Sequence, residues 1–153
     1  MAHSFLHASA RLGRLCGLAA LLGAAPVWAA LGGDLASVQR EQQAWGASSS
    51  QSVLRGASVY SLVLGNGVTV REYLDASGTV FAVGWEGPVL PDFERLLGPH
   101  FASYQAALQT ARRGVSIRSA GLVLESGGMM RAFTGRAYLP AQLPSGITAQ
   151  DIR

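Results

Sequence analysis

The sequence predicts an α+β domain: an antiparallel sheet of about five strands, built as a three-strand meander plus a hairpin, with helices packed on one face. Three strand-like runs separated by short glycine-containing turns follow one another between residues 59 and 85, which is the pattern of a meander. Segments with helical spacing of apolar residues stand before and after it, and two more strand-like runs come later. Helices and strands are segregated rather than alternating, which favours the α+β class.

The first 29 residues have the pattern of a cleaved signal peptide. Two arginines precede an apolar run from Leu15 to Ala25, and Val27 and Ala29 occupy the −3 and −1 positions before a cut. We therefore expect residues 30–153 to be a single exported domain, periplasmic or secreted, with no stable membrane span after cleavage. An uncleaved anchor is the alternative, because the uncharged stretch extends slightly beyond the proposed cut.

The charge of the chain does not favour a nucleic-acid partner. All twelve basic residues are arginine, and without the two in the leader ten arginines face nine acidic residues. The local basic cluster is limited to Arg112, Arg113 and Arg118, whereas binding to many phosphates needs a basic stripe. The single cysteine, Cys16, lies in the leader, so the mature domain has no disulfide, cysteine nucleophile or thiolate metal site.

The mature chain begins with a predicted helix that has both end signals. Asp34 is a good N-cap and Gly46 a good C-terminal stop. The residues expected on its buried side are Leu35, Val38, Gln42 and Trp45. The serine-rich stretch from Ser48 to Ser52 then reads as a flexible connector.

The meander has a register that parity predicts. With a three-residue first turn and a four-residue second turn, Tyr60 faces Glu72 and Glu72 faces Phe81. One face then collects nearly all the apolar side chains of the three runs: Tyr60, Leu62, Leu64, Val68, Val70, Leu74, Phe81, Val83 and Trp85. This arrangement leaves the carboxyl group of Glu72 in the middle of an apolar face.

The second half of the chain predicts two helices and a hairpin. A short helix around Phe93 ends at Gly98, and a longer one with apolar residues from Phe101 to Ala111 carries two arginines in its last turn and closes at Gly114. Two strand candidates follow, Leu122 to Glu125 and Met129 to Leu139, around a turn at Ser126-Gly127-Gly128. The proline-containing tail is expected to lie over the surface.

Glu72 is the first candidate site residue. An unpaired buried carboxylate costs several kcal/mol, so this group must be paired, hydrogen-bonded or protonated. One interpretation is an acid or ligand-binding group with a raised pKa in a sheet-lined pocket. The other is a structural ion pair, with Arg131 or Arg136 as partner, or a hydrogen bond from the Tyr60 hydroxyl.

Four further residues are weaker candidates. His100 is the histidine that remains after processing, and it would serve as a general base, although no serine or acid partner is indicated by spacing. Trp85 would line a groove for a peptide or sugar, although its parity favours the core. Arg131 and Arg136 lie on a strand rich in small residues and would bind an anionic group, unless they form an ordinary solvated face.

The sequence indicates no metal site and no cofactor. One histidine without a second ligand at suitable spacing does not form a metal site. Glu125-Ser126-Gly127-Gly128 lacks the G-x-S-x-G elbow of serine hydrolases, and Gly65-Asn66-Gly67 is not followed by the helix that a phosphate-binding loop requires.

From Leu31 to its end the chain resembles an uncharacterised bacterial family, the domain-of-unknown-function family 2844. Seven segments carry the resemblance: Leu31-Gly32-Gly33-Asp34, Arg71-Glu72-Tyr73, Gly78 to Trp85, Glu125 to Gly128, Met130 to Phe133, Gly135 to Pro140, and Asp151-Ile152-Arg153. The resemblance implies an exported proteobacterial protein, and it brings no known activity, cofactor or catalytic residue.

These observations give two hypotheses for the function. We expect a non-catalytic binding domain or envelope accessory protein, whose partner is a protein, a glycan or a small ligand of the cell envelope. The alternative is a small hydrolase or lyase that uses Glu72 as acid or base, together with an arginine or His100. The two differ in whether Glu72 opens into a pocket within reach of a second titratable group.

Overall fold

A computed structural model describes residues 31–153 of the protein, and the predicted leader at residues 1–29 lies outside the described residues. The described part is an α+β domain with an antiparallel sheet, as predicted, but the sheet has seven strands rather than about five, and the helices are few and short. In chain order the elements are α1 (Leu35–Trp45), β1 (Ser48–Leu54), β2 (Ala57–Val63), β3 (Thr69–Leu74), β4 (Val80–Gly87), α2 (Phe93–Leu97), α3 (Phe101–Leu108), β5 (Val115–Arg118), β6 (Val123–Met129) and β7 (Ala132–Tyr138).

The strands lie in the spatial order β1-β2-β3-β4-β7-β6-β5, and every neighbouring pair is antiparallel. The first four strands form a meander in chain order. The chain then passes through α2 and α3 and returns to form the second half of the sheet from its outer edge inward. The two ends of the sheet are therefore β1 and β5.

The first helix begins and ends where the sequence predicts. Asp34 is its N-cap, and the Asp34 carboxylate accepts a hydrogen bond from the backbone N–H of Ser37. Gly46 follows the last turn in the left-handed conformation, with φ of 57°, which a residue without Cβ adopts at little cost. Val38 is buried as expected, whereas Leu35 is exposed. The buried side also includes Glu41.

The first hairpin of the meander has the predicted register, with Tyr60 opposite Glu72 and Leu62 opposite Val70. The second hairpin does not: Glu72 lies opposite Val83 rather than Phe81. The turn is one residue shorter than predicted, because the Asp75 carboxylate accepts hydrogen bonds from the N–H groups of Ser77 and Thr79 and Asp75 itself pairs with Thr79.

A β-bulge at Phe81 adds a second one-residue shift. Tyr73 lies opposite Ala82 and Leu74 opposite Val80, so Phe81 is an extra residue in β4. The two shifts restore parity for Val83 and Trp85, which point to the predicted face, but Phe81 belongs to the opposite face. The prediction that Phe81 shares a face with Val83 and Trp85 is therefore wrong.

The serine-rich stretch predicted as a connector is strand β1. It pairs with β2 in continuous register from Ser48–Val63 to Leu54–Ala57. The two intervening residues, Arg55 and Gly56, both have positive φ, 49° and 89°, as the tight hairpin turn between twisted strands requires. The glycine at the second turn position was the signal for this hairpin.

The last three strands also differ from the prediction. Ser126, Gly127 and Gly128 do not form a turn but lie within β6, paired to β7. The turn is at Met130 and Arg131, and Arg131 has a φ of 66°. The helix α3 ends at Leu108, so the arginines predicted for its last turn, Arg112 and Arg113, lie beyond it.

Both faces of the sheet are covered. On one face the helices pack against a core that contains Val38, Leu96, Leu97, Tyr104 and the inward side chains of β2, β3, β4, β6 and β7. On the other face the tail after β7 covers a smaller core through Ile147 and Ile152. We call these two faces the helix side and the tail side.

Candidate functional site

Glu72 lies where the meander predicts, in the middle of β3 on the helix side of the sheet. Its neighbours across the strands are Tyr60 and Val83, and its residue exposure is 1%. The carboxyl group is thus enclosed between the sheet and the helix α1.

The partner of Glu72 is a second acid, Glu41 of α1. Glu41 is 4% exposed, and its carboxyl group lies close enough to that of Glu72 for the two to interact by charge and to hydrogen-bond once one of them is protonated. The two groups cannot be ionised at the same time in this arrangement, because three of their four oxygens have no donor among the described residues. These oxygens are Glu41 Oε1, Glu41 Oε2 and Glu72 Oε2. A proton on Glu41 supplies the missing donor, and the Glu72 carboxyl accepts it.

Burial raises the pKa of both acids. The pKa of Glu41 rises to about 10, first through burial and then through the charge and hydrogen bond of Glu72; the charge of Arg95 opposes this. The pKa of Glu72 rises to about 7 through burial, which the hydrogen bond from Glu41 partly offsets. The pair therefore holds at least one proton at neutral pH, because two adjacent buried carboxylates would repel each other.

The partners expected for Glu72 from sequence are not its partners. Arg131 is exposed in the turn between β6 and β7, and Arg136 points to the tail side, where it pairs with Glu125. No hydrogen bond from the Tyr60 hydroxyl to Glu72 is present among the described residues. The expectation of a structural ion pair with Arg131 or Arg136 is therefore wrong, and the neighbour of the Glu72 carboxyl group is a second acid.

His100 lies between α2 and α3, in a short 3-10 turn that spans Gly98–His100. It is half-buried, and burial lowers the pKa of its imidazole. Within residues 31–153 it has no hydrogen bond or ion pair with Glu72 or with another acid. The structure thus brings together Glu41 and Glu72, and it does not bring His100 to them.

A cleft of about 780 Å³ lies on the tail side of β4, β7, β6 and β5. We call it the charged cleft. Its ionisable and hydroxyl-bearing lining residues include Glu86, Arg113, Glu125, Thr134, Arg136 and Arg153. Of the residues singled out from sequence, Arg136 lies here.

Ion pairs fix the floor of the charged cleft. Arg136 donates through Nε and Nη2 to Glu125 Oε2, at 3.1 and 2.7 Å, and through Nη1 to the carbonyl of Ala149 in the tail. Arg118 binds the other oxygen of Glu125 at 2.6 Å. These guanidinium groups lower the pKa of Glu125, with the Arg136 hydrogen bond as the largest cause, so Glu125 is ionised at neutral pH.

A second ion pair bounds the charged cleft on its other side. Arg71 Nη2 lies 2.5 Å from Glu86 Oε1, and Arg71 Nη1 donates to the carbonyl of Arg153. The Tyr73 hydroxyl joins the same backbone, accepting from the Arg153 N–H at 3.1 Å. The tail is thus tied to the sheet beside the cleft by side chains of β3.

Two smaller clefts adjoin the charged cleft. One, of about 340 Å³, lies on the helix side and is lined by Leu90, Tyr104, Leu108 and Phe133; we call it the apolar cleft. The other, of about 420 Å³, is bounded by Pro88, Phe133 and the exposed Arg131. Trp85 lines neither, because it is fully buried in the helix-side core with its ring edge against Phe93.

Sequence reasoning missed three residues of these sites. Glu41 was placed on no face, although it lies three residues after Val38, the spacing that puts two residues on one side of a helix. Glu125 was predicted as the last residue of a strand, before a turn at Ser126, and Arg113 as part of a helix end. No local signal placed these two residues at one cleft, since the glycines that follow Glu125 have the composition of a turn.

Among the described residues no group of three or more His, Cys, Asp or Glu side chains is arranged to hold a metal ion. None of the helices described is both long and apolar enough to cross a membrane.

The family model described as Protein of unknown function (DUF2844) matches residues 27–152 of the chain. No curated protein and no solved structure matches the chain significantly.

Proposed function

The chain belongs to the family described as Protein of unknown function (DUF2844), and we propose that it is an exported, non-catalytic binding domain of the bacterial cell envelope. Its partner is a protein, a glycan or a small ligand that occupies the charged cleft. The observation that carries the proposal is the contrast between a sealed acid pair and an open cleft. Glu41 and Glu72 are buried, whereas the cleft with Arg113 and Arg136 is open to solvent.

The form of the charged cleft supports a binding role. Its volume is in the range of ligand sites, about 300–1,000 Å³. The guanidinium of Arg136 is held by Glu125 and by the Ala149 carbonyl, so the floor of the cleft is ordered before a ligand arrives. A preordered site loses less conformational freedom on binding, which favours affinity.

The test is capture by the tagged mature domain from an envelope extract of its own bacterium, with proteins, glycans and small molecules identified by mass spectrometry. Arg113→Glu reverses an exposed charge of the cleft, and Arg40→Glu makes the same change on the exposed side of α1. We expect one component that the wild type and Arg40→Glu retain and that Arg113→Glu loses. A set of captured components that is identical for all three proteins contradicts the proposal.

The export part of the proposal rests on the leader pattern at residues 1–29. It is tested by expressing the full chain with a C-terminal tag in a bacterial host. We expect the tagged protein in the periplasmic or secreted fraction, with an intact mass that corresponds to a chain beginning at Ala30. A full-length mass in the cytoplasmic fraction contradicts export.

One observation favours the alternative, a small hydrolase or lyase. A carboxyl group with pKa near 7 beside a protonated acid is a suitable proton donor and acceptor. The enzyme would need α1 to move, since substrate cannot reach a group that is 1% exposed. Conversion of the captured component by wild type and not by Glu72→Gln would establish this alternative; equal behaviour of the two proteins removes it.

A further inference from the structure

We infer that the charged cleft and the apolar cleft together bind one amphiphilic anion, a molecule with a phosphate or carboxylate group and an apolar chain. The inference rests on the proposed binding function and names the ligand class. Three features of the described residues carry it: a surplus of positive charge in the first cleft, an apolar second cleft, and a shared boundary between the two.

The surplus charge is local. The two acids of the charged cleft, Glu86 and Glu125, are each neutralised by an arginine outside its lining, Arg71 and Arg118 respectively. Arg136 shares Glu125 with Arg118, and the charge of Arg153 acts on Asp151 of the tail. Arg113 is thus the lining guanidinium that no described acid pairs with. Counted with Asp151, the cleft region has five arginines and three acids, in a domain whose ten arginines and nine acids nearly balance.

Arg113 is the group best placed to meet an anion. It is exposed, and none of the described residues forms an ion pair or hydrogen bond with its side chain. Arg136, in contrast, is half-buried and held by Glu125. A guanidinium without a carboxylate partner at the rim of a cleft that already has a fixed guanidinium in its floor favours a phosphate or carboxylate.

The apolar cleft has no acid in its lining. Leu90, Tyr104, Leu108 and Phe133 form its walls, and its charged lining residues, Arg112 and Arg113, are both positive. Leu90 and Leu108 remain 43% and 45% exposed. A short hydrocarbon chain would remove these side chains from water, which is favourable in proportion to the area covered.

The two clefts meet at the beginning of β5. Arg113, Gly114, Val115, Ser126 and Gly127 line both of them. β5 begins at Val115, opposite Ser126, so the last three residues of β6, from Gly127 to Met129, have no partner strand on the β5 side. A flexible ligand can therefore place its anionic group on the tail side and its apolar chain on the helix side, passing this open edge beside Arg113.

The test is calorimetric titration of the mature domain with decyl phosphate below its micelle concentration, with inorganic phosphate and decyl maltoside as the two half-ligands. We expect decyl phosphate to bind at least about tenfold more tightly than either, because it alone uses both clefts. Equal affinity for decyl phosphate and inorganic phosphate, or no binding of decyl phosphate, would overturn the inference.

Matched variants locate the site. Arg113→Gln should weaken decyl phosphate about tenfold, the effect of one charge-assisted hydrogen bond, and Leu108→Ser should weaken it severalfold without affecting inorganic phosphate. Arg40→Gln and Leu35→Ser make the same changes at exposed positions outside both clefts and should have no effect. If all four variants bind alike, the clefts are not the site.

Vesicles distinguish the two sources of such a ligand. Binding to phosphatidylglycerol vesicles that Arg113→Gln abolishes indicates a headgroup presented by a membrane, and binding of decyl phosphate alone indicates a free amphiphile; either result supports the inference. If an envelope component is captured in an Arg113-dependent manner but decyl phosphate does not bind, the ligand class is wrong and the proposed binding function stands.

Discussion

Glu41 of α1 and Glu72 of β3 form a buried carboxyl pair between the helix and the sheet, and burial raises the pKa of both acids so that the pair retains a proton at neutral pH. Glu41 lies on the buried side of α1 and Glu72 in the middle of the sheet, so the ionisation of the pair is coupled to the packing of α1. The domain thus has a site where protonation and tertiary structure depend on each other.

The first prediction concerns the pH dependence of stability. Because the folded pKa of each acid is above the unfolded value of about 4.3, the folded state binds more protons and its advantage is lost as pH rises. We expect the free energy of unfolding to fall between pH 5 and pH 9, by up to about 1.4 kcal/mol per pH unit for each proton. Urea titrations at several pH values measure it.

The control for this prediction is a comparison of two glutamate variants. Glu41→Gln keeps a hydrogen-bond donor for Glu72 but cannot ionise, so the slope of stability against pH should decrease. Glu94→Gln makes the same change on the exposed side of α2 and should leave the slope unchanged. A wild-type protein whose stability rises from pH 5 to pH 9 would show that the pair is not protonated.

The second prediction concerns the close packing of Gly135 against Trp85. A Cβ atom at position 135 would overlap the Trp85 ring and the carbonyl of Glu125, so Gly135→Ala should destabilise the fold by about 1–3 kcal/mol. At Gly121 a Cβ meets nothing within 4 Å, and Gly121→Ala should be neutral or slightly stabilising. Chemical denaturation of both variants is the measurement, and equal stability of the two proteins would refute the packing argument.

The third prediction separates the two arginines that bind Glu125. Arg136 is 27% and Arg118 74% exposed in its side chain, and solvent weakens exposed pairs. We expect Arg136→Gln to cost about 1–2 kcal/mol at pH 7 and Arg118→Gln less than about 0.5 kcal/mol.

The pH dependence of the Arg136 effect provides its check. The pKa of Glu125 is lowered in the folded state, so its pairing stabilises the protein above the unfolded pKa and is lost as pH falls through the folded pKa. The difference between wild type and Arg136→Gln should therefore shrink when both are unfolded near pH 3. A difference that stays constant between pH 7 and pH 3 would argue that Arg136 acts by packing alone.

The fourth prediction concerns the attachment of the tail. The Tyr73 hydroxyl donates to the Arg153 carbonyl at 3.2 Å and accepts from its N–H. Tyr73→Phe should destabilise the fold by about 1 kcal/mol and speed hydrogen exchange of the Arg153 amide. Tyr60→Phe is the matched control, because the Tyr60 hydroxyl has no hydrogen bond among the described residues. Unchanged hydrogen exchange of the Arg153 amide in Tyr73→Phe would contradict the attachment.

The parts of the fold that were predictable are those where local signals agree. The cap at Asp34, the stop at Gly46 and the first hairpin around Asn66 each combine a turn residue with a hydrophobic pattern. The alternation of side chains along β3 was enough to place Glu72 on the helix side. Val83 also lies on its predicted face, because the shorter turn and the bulge each shift the register by one residue and together leave its face unchanged.

The parts that were missed depend on contacts distant in sequence. β1 has serines where strands favour β-branched residues, and its pairing with β2 supplies what its composition lacks. Glycines of β6 and β7 are needed where Trp85 and the neighbouring backbone approach closely, and no local pattern distinguishes this use from a turn. The partner of Glu72 depends on how α1 packs on the sheet, which parity within the strands does not determine.

The bulge at Phe81 has a consequence for how the domain unfolds. Two adjacent residues of β4, Phe81 and Ala82, point to the tail side, while Val80 and Val83 on either side of them point to the helix side. β4 thus contributes side chains to both hydrophobic cores, and removing either the helices or the tail would expose some of these side chains to water. We expect the layers to melt together in a single cooperative transition, with the C-terminal segment behaving as an integral third layer rather than as an appendage.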